Sequence, residues 1–153
     1  RTGVGRAWVM VYCPGDFNEN TVIDAMNRGD YYPTLGVLFE SIVFENGTLR
    51  VRIKAEKDRK YTIRFVATKR GFSRKVRTLD LTDDRPRPPR TVSLYSDEIG
   101  QTVFECSGTE AEYTMQPDDL YIRAAAVSDK PVRCRSSRHP AFETAWTQPY
   151  KIN

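Results

Sequence analysis

The stretch TLRVRIKAEKDRKYTIRFVAT, residues 48–68, decides the fold. Leu49, Val51, Ile53 and Ala55 alternate with Arg50, Arg52 and Lys54, and after a charged break Tyr61, Ile63, Phe65 and Ala67 repeat the pattern. A period of two puts successive side chains on opposite faces of a strand, so each run carries one apolar and one polar face. One buried and one wetted face is the pattern of an antiparallel sheet, because strands of a parallel sheet are apolar on both sides.

Upstream, residues 37–45 read as a strand joined to the first run by Glu45-Asn46-Gly47-Thr48. Asn-Gly accepts positive φ at both central turn positions, which matches the twist of a two-residue hairpin. Asn46-Gly47-Thr48 is also a glycosylation sequon, meaningful only on a secretory route. Downstream, residues 74–81 form a weaker strand. DDRPRPPR, residues 83–90, then breaks the pattern, since proline cannot donate to a ladder and prefers extended polyproline geometry. It reads as a crossover loop between two sheets, with an SH3-type ligand as the alternative. Short strands follow at 91–95, 101–106, 111–115 and 119–127. In the last, Leu120, Ile122, Ala124 and Ala126 face one way and Tyr121, Arg123 and Ala125 the other. A basic irregular loop, 128–140, precedes a closing strand within 142–150. Short strands at this spacing predict an all-β, antiparallel sandwich of immunoglobulin or jelly-roll type.

The amino-terminal part differs. AWVMVYC, residues 7–13, is apolar throughout and ends at Pro14-Gly15, which predicts a strand buried on both sides. Within FNENTVIDAMNRGDYYPTLG, residues 17–36, Asn18 is a good helix N-cap and Phe17 with Val22 has the spacing of a hydrophobic staple. Val22, Ile23 and Met26 form an apolar stripe, and Gly29 stands where a left-handed residue ends a helix. Three turns are marginal alone, so this short N-terminal helix is expected to dock on the sheets. The whole chain, 1–153, then reads as one domain. Residues 6–36 give the lead strand, helix and aromatic turn, and residues 37–153 the sandwich strands.

Composition fits that picture. With 39% hydrophobic and 29% charged residues, the chain has the makeup of a folded globular protein and not of a disordered one. No apolar run reaches the ~18 residues of a membrane-crossing helix, so no membrane is expected, and no charged-then-apolar leader is visible. A sequence opening at Arg1 without Met fits a processed product or a fragment, which leaves localisation open. Residues 48–80 hold twelve Lys or Arg against three acids, a local +9, while the remainder balances to −5. That block reads as the wet faces of strands and their loops, not as a nucleic-acid surface. The three cysteines, Cys13, Cys106 and Cys134, are odd in number and far apart, which argues against a disulfide framework and leaves at most one bridge.

Two segments carry a resemblance. Ala25, Gly29, Tyr31, Tyr32, Thr34 and Gly36 resemble the helix-turn that follows the catalytic barrel in the polymerase-and-histidinol-phosphatase (PHP) family of metalloproteins. Tyr121, Ile122, Arg123 and Asp129, followed by Ala145, Trp146, Thr147 and Pro149, resemble the end of that family's carboxy-terminal β-domain. Gln148 stands where the family usually has Asn. The resemblance implies an upstream catalytic barrel in the same polypeptide as partner, with divalent metals held there and no cofactor in this chain. It also implies that Tyr31, Tyr32 and Thr34 lie near the barrel's site, Thr34 as a hydroxyl donor and Tyr32 as an aromatic wall. The residues alone support a plainer account of the same turn, aromatics packing on the core.

Chemistry within the chain has little to stand on. Each metal of a multi-metal hydrolase needs several donors, and His139 is the one histidine. Cys134 lies five residues before it, too few donors for a closed zinc site. Gly3-Val4-Gly5-Arg6 lacks a third glycine for a dinucleotide fingerprint, and no nucleophile elbow or P-loop is present. Asp83-Asp84 and Asp118-Asp119 are neighbours in turns, expected to point apart. No catalysis is expected of this chain. The alternative is a free-standing module binding a polyanion, glycan or protein through Arg50, Arg52 and Lys54 or exposed tyrosines. Self-association through an edge strand is the third expectation.

Overall fold

The computed structural model describes residues 7–81, 90–132 and 142–152. In chain order these hold β1 (Trp8–Val11), α1 (Glu19–Arg28), β2 (Tyr31–Thr34), β3 (Phe39–Glu45), β4 (Thr48–Ile53) and β5 (Tyr61–Lys69). There follow β6 (Arg77–Leu81), β7 (Arg90–Leu94), β8 (Gln101–Ser107), β9 (Glu110–Thr114), β10 (Asp119–Pro131) and β11 (Phe142–Trp146). One sheet runs β1-β2-β11-β10-β5-β8, a second β3-β4-β9, and β6 with β7 makes a separate ribbon. Every strand pair is antiparallel. The all-β architecture with one short helix follows the alternating pattern of residues 48–68.

The two sheets pack on those alternating faces. Leu49, Val51 and Ile53 of β4 meet Tyr61, Ile63, Phe65 and Ala67 of β5 and Ile122, Ala124 and Ala126 of β10 in one buried cluster. Ala55 is exposed instead of buried, because β4 ends at Ile53 and the chain turns away. Leu120 is likewise exposed: a register shift between Asp119 and Tyr121 takes it out of the alternation. Three aromatic pairs bridge the layers. Phe65 stacks on Tyr113 at 5.7 Å between ring centres, Phe44 on Tyr150 at 5.0 Å, and Tyr32 meets Phe39 edge-on at 5.1 Å.

The turns behave as their chemistry dictates. Asn46 and Gly47 take φ of 49° and 74°, joining Glu45 to Thr48 in a tight hairpin. The helix starts on a capping box in which Asn18 Oδ1 accepts from the Thr21 amide at 3.1 Å and Thr21 Oγ1 accepts from the Asn18 amide at 3.0 Å. It ends at Gly29, with φ of 83°.

Four further expectations fail. Phe17 is 83% exposed, so no staple forms with Val22; Thr21 takes over as the reciprocal cap. The stripe is not docked either, since only Ala25 of the helix is buried while Ile23 and Met26 face solvent. β1 is not buried on both sides: it is the outermost strand of the large sheet, with Trp8, Val9 and Met10 all exposed. Finally, β6 and β7, the strands on either side of residues 82–89, pair with each other in one ribbon and not with strands of two different sheets, contrary to the expected crossover; residues 82–89 themselves lie outside the described residues. Cys134, His139 and Asp83-Asp84 lie outside the described residues.

Removing the ring at the centre of the core should be costly. Phe65→Ala is expected to lower unfolding free energy by about 3–5 kcal/mol in urea titration, the range for large-to-small core changes. Gly36→Ala is expected to cost about 1–3 kcal/mol, since φ there is 147° and an added methyl would overlap the Glu143 side chain.

Candidate functional site

The seam where the two resembling segments meet is the first candidate. β2 lies between β1 and β11, with Thr34 paired to Ala145 and the Leu35 amide donating to Thr144 O at 2.7 Å. Gln148 Nε2 donates to the Tyr31 carbonyl at 3.2 Å, and a Cβ on Gly29 would lie against its side chain. The seam is closed by main-chain and amide bonds, and Gln148 reaches across it.

Thr34 is fully buried. Its hydroxyl donates to Val37 O at 2.6 Å and accepts from the Gly36 amide at 2.9 Å, which holds the turn after β2. Tyr32 is half-buried, and its hydroxyl accepts from the Phe39 amide at 3.0 Å, tying the large sheet to the small one. Burial pushes the Tyr32 phenol above its ordinary pKa, with the Phe39 N–H opposing. Both polar groups are thus committed inside the fold, as in the plainer account of this turn. Tyr31 is half-buried.

Arg50, Arg52 and Lys54 point outward, and β9 supplies acids opposite two of them. Arg50 Nε lies 2.6 Å from Glu112 and Arg52 Nε 3.0 Å from Glu110, each pair directly opposed in register. Arg64 pairs with Glu105 of β8 in the same way. The basic alternation of β4 is therefore a cross-strand ion-pair ladder, and cross-strand pairs of this kind contribute modestly to a sheet.

The burial of two carboxylates, Asp119 and Glu143, escaped the sequence reading. Asp119 is 2% exposed, its Oδ2 accepting from the Gln116 amide at 2.7 Å and the Tyr113 hydroxyl at 3.2 Å. Lys69 Nζ sits 2.8 Å from Asp119 Oδ1 and 2.9 Å from Asp118 Oδ1. The contact at Asp119 supplies charge more than a well-directed hydrogen bond. The two acids do not point apart: Asp119 faces Lys69 across the register shift, which lets one ammonium bridge both. Glu143, 7% exposed, lies 3.4 Å from Lys130, whose ammonium also meets Glu56 at 2.8 Å. Nothing in the sequence flags this group, because Glu56 and Lys130 are 74 residues apart.

At the end of the large sheet, where β5 begins and β8 stops, an open cleft of about 600 Å³ is lined by Arg59, Lys60, Gly108, Asp129 and Phe142 among others. Asp129 Oδ1 accepts from the Lys60 amide at 3.3 Å and stands 3.9 Å from Arg59 Nη1, which closes the start of β5. Among the described residues, no three or more His, Cys, Asp or Glu gather as a metal site, and no helix is long and apolar enough to cross a membrane. Cys13 and Cys106 are not bridged to one another. No family model, curated protein or solved structure matches the chain.

Two outcomes test this geometry. Tyr32→Phe should cost about 1–3 kcal/mol in urea titration, because the Phe39 N–H loses its partner. The Lys69 cluster should shape the pH profile. Its ammonium is held above the ordinary lysine range by Asp119 and then Asp118, and Asp118 is held below 3.8 by Lys69. The Asp118 contribution is complete above that value and lost as pH falls through the depressed one. The Lys69 contribution is complete below pH 10.5 and lost as pH rises past it. Lys69→Met should therefore lie below the wild type at neutral pH, with the gap narrowing in strong acid; a constant gap would remove the assignment.

Proposed function

We propose that this chain is a non-catalytic accessory β-domain, packing against or shaping the entrance of a metal site on an upstream PHP-like phosphoesterase barrel. One observation supports it above the others: the two segments carrying the resemblance, 117 residues apart at Tyr31 and Gln148, form a single bonded seam. Motifs that meet in space are worth more than two isolated matches. Gln148 fills the position where the family usually has Asn and still reaches a backbone carbonyl, so the substitution keeps an amide at the seam.

On this reading the domain acts through surface. The Thr34 and Tyr32 hydroxyls serve the fold, and the ring of Tyr31, beside the seam, is the group offered to the barrel. Any divalent metals belong to the upstream domain, with the present chain contributing shape at its rim. The alternative, a polyanion-binding module, has less to recommend it. A phosphate or sulfate would have to displace Glu112 and Glu110 from Arg50 and Arg52, which leaves Lys54 as the least encumbered of the three.

The decisive experiment is to read and express the frame preceding Arg1. The expected product has clustered His and Asp ahead of this domain and hydrolyses a phosphomonoester only with divalent metal, while the present chain alone shows no turnover. An upstream region without such a cluster defeats the reading. For the alternative, heparin retention is expected to be weak and nearly flat with salt, whereas a steep salt dependence would restore it.

A further inference from the structure

The β6–β7 ribbon stands apart from the sandwich. Its one substantial contact among the described elements is between its own two strands. A lone two-stranded hairpin is at best marginally stable in water, so a ribbon of this kind wants a surface to lie on. Directly opposed residues share a face. Leu79 opposes Val92, Arg77 opposes Leu94, and Leu81 opposes Arg90, giving one face with an aliphatic centre and an arginine on each diagonal. The other face holds Thr78, Asp80, Thr91 and Ser93, with Thr91 Oγ1 donating to Asp80 at 2.7 Å. Leu79, Leu81 and Leu94 are each more than 40% exposed. The ribbon is amphipathic, and its apolar face is uncovered.

A second uncovered apolar surface exists on the same chain. β1, an edge strand, leaves Trp8 and Met10 exposed on one face and Val9 on the other, and α1, which packs beside it, leaves Ile23 and Met26 exposed. The outer edge of β1 has no charged residue to guard it, where edge strands of soluble proteins usually carry one. Glu19 and Asp24 are the exposed acids of α1 and Asp16 stands just before it, while the helix's one base, Arg28, is paired with Asp30 at 2.7 Å. One surface is therefore apolar and rimmed by arginine, the other apolar and rimmed by carboxylates.

We infer that the occupant of each is the other on a second copy of this chain: the ribbon of one copy lays its Leu79–Val92 face over the β1–α1 surface of the next. Charge complementarity selects this pairing over ribbon against ribbon, which would set Arg77 and Arg90 against their own kind. The contact joins two different surfaces, so it is heterologous, and copies add head to tail in a ring or a growing chain. This goes beyond the accessory role proposed above and does not depend on it.

Sedimentation equilibrium on the chain as it stands tests it. The weight-average mass should climb with concentration above the 17.6 kDa of one chain. Leu79→Lys spoils the ribbon and Ile23→Lys spoils the helix surface; each variant alone should stay at a single-chain mass with an unchanged thermal midpoint. Mixed in equal amounts, they should form a complex of two copies and no more, because one intact ribbon then meets one intact surface. The pair Arg77→Glu with Arg90→Glu should also dissociate the wild-type assembly, and mixing it with Glu19→Arg plus Asp24→Arg should bring association back. This second pair keeps the test valid if either lysine variant fails to fold. A wild-type mass fixed at one chain, or mixtures that remain single, overturns the inference, as does undiminished association of the single variants.

Discussion

Everything in this molecule hangs on one apolar layer, the face of β4 pressed on the faces of β5 and β10. Leu49, Ile63, Phe65 and Ile122 are essentially inaccessible, and each such side chain contributes roughly 1.5–3 kcal/mol relative to exposure. The aromatic pairs extend the same layer to its margins. Phe65 on Tyr113 ties β5 to β9, and the Tyr113 hydroxyl then reaches Asp119 at the start of β10. Burial and the neighbouring carboxylate both push the Tyr113 phenol upward, so it remains a neutral donor through any ordinary pH. Tyr32 does the corresponding work at the other margin, its ring on Phe39 and its hydroxyl on the Phe39 amide. The layer is thus apolar in the middle and closed at both sides by tyrosines whose polar ends are satisfied.

The size mismatch between the layers follows from that arrangement and governs the surface. Strands sit about 4.8 Å apart, so six of them span roughly twice the width of three. The small sheet covers β5 and β10 and stops short of β1, where α1 is the only helical cover among the described residues. α1 buries little beyond Ala25, because it is a single short helix meeting the sheet at its margin. The exposure of Trp8, Val9 and Met10 is therefore geometric in origin: apolar residues lie on a strand that the second layer cannot reach.

How much of this was legible in the sequence depends on how local the cause is. The alternation within β4 and β5, the Asn46-Gly47 turn, the Asn18 cap and the Gly29 terminus all rest on contacts within a few residues, and the structure has them in place. Burial of the 7–13 segment rested on hydrophobicity alone, which says a strand is apolar but not whether a second layer extends over it. The Phe17 staple failed by the same reasoning, as the Thr21 hydroxyl closed the cap without needing a nonpolar contact. The segment read as an aromatic turn is instead the strand β2 (Tyr31–Thr34), with Tyr32 packed on the core, and the role of Thr34 could be decided only by seeing Val37 O and Gly36 N converge on its hydroxyl. Asp118 and Asp119 looked independent because the register shift that aims both at Lys69 is a property of strand pairing.

Charge shows most sharply what a linear reading loses. The basic excess of residues 48–80 would make a polyanion face only if its complement lay elsewhere in space, and β-pairing brings that complement to it. Glu105, Glu110 and Glu112 come from a stretch some 40 to 60 residues downstream and fall opposite Arg64, Arg52 and Arg50 because β8 and β9 are the neighbours of β5 and β4. Where pairing supplies no acid the outcome differs. In the ribbon, Arg77 and Arg90 face Leu94 and Leu81, so their charge stays beside uncovered aliphatic surface. The same alternation of arginine with aliphatic residues therefore makes a self-neutralised outer face on β4 and a basic, apolar one on β6–β7. The register of the opposing strand, and nothing in the alternation itself, decides which of the two a given run becomes.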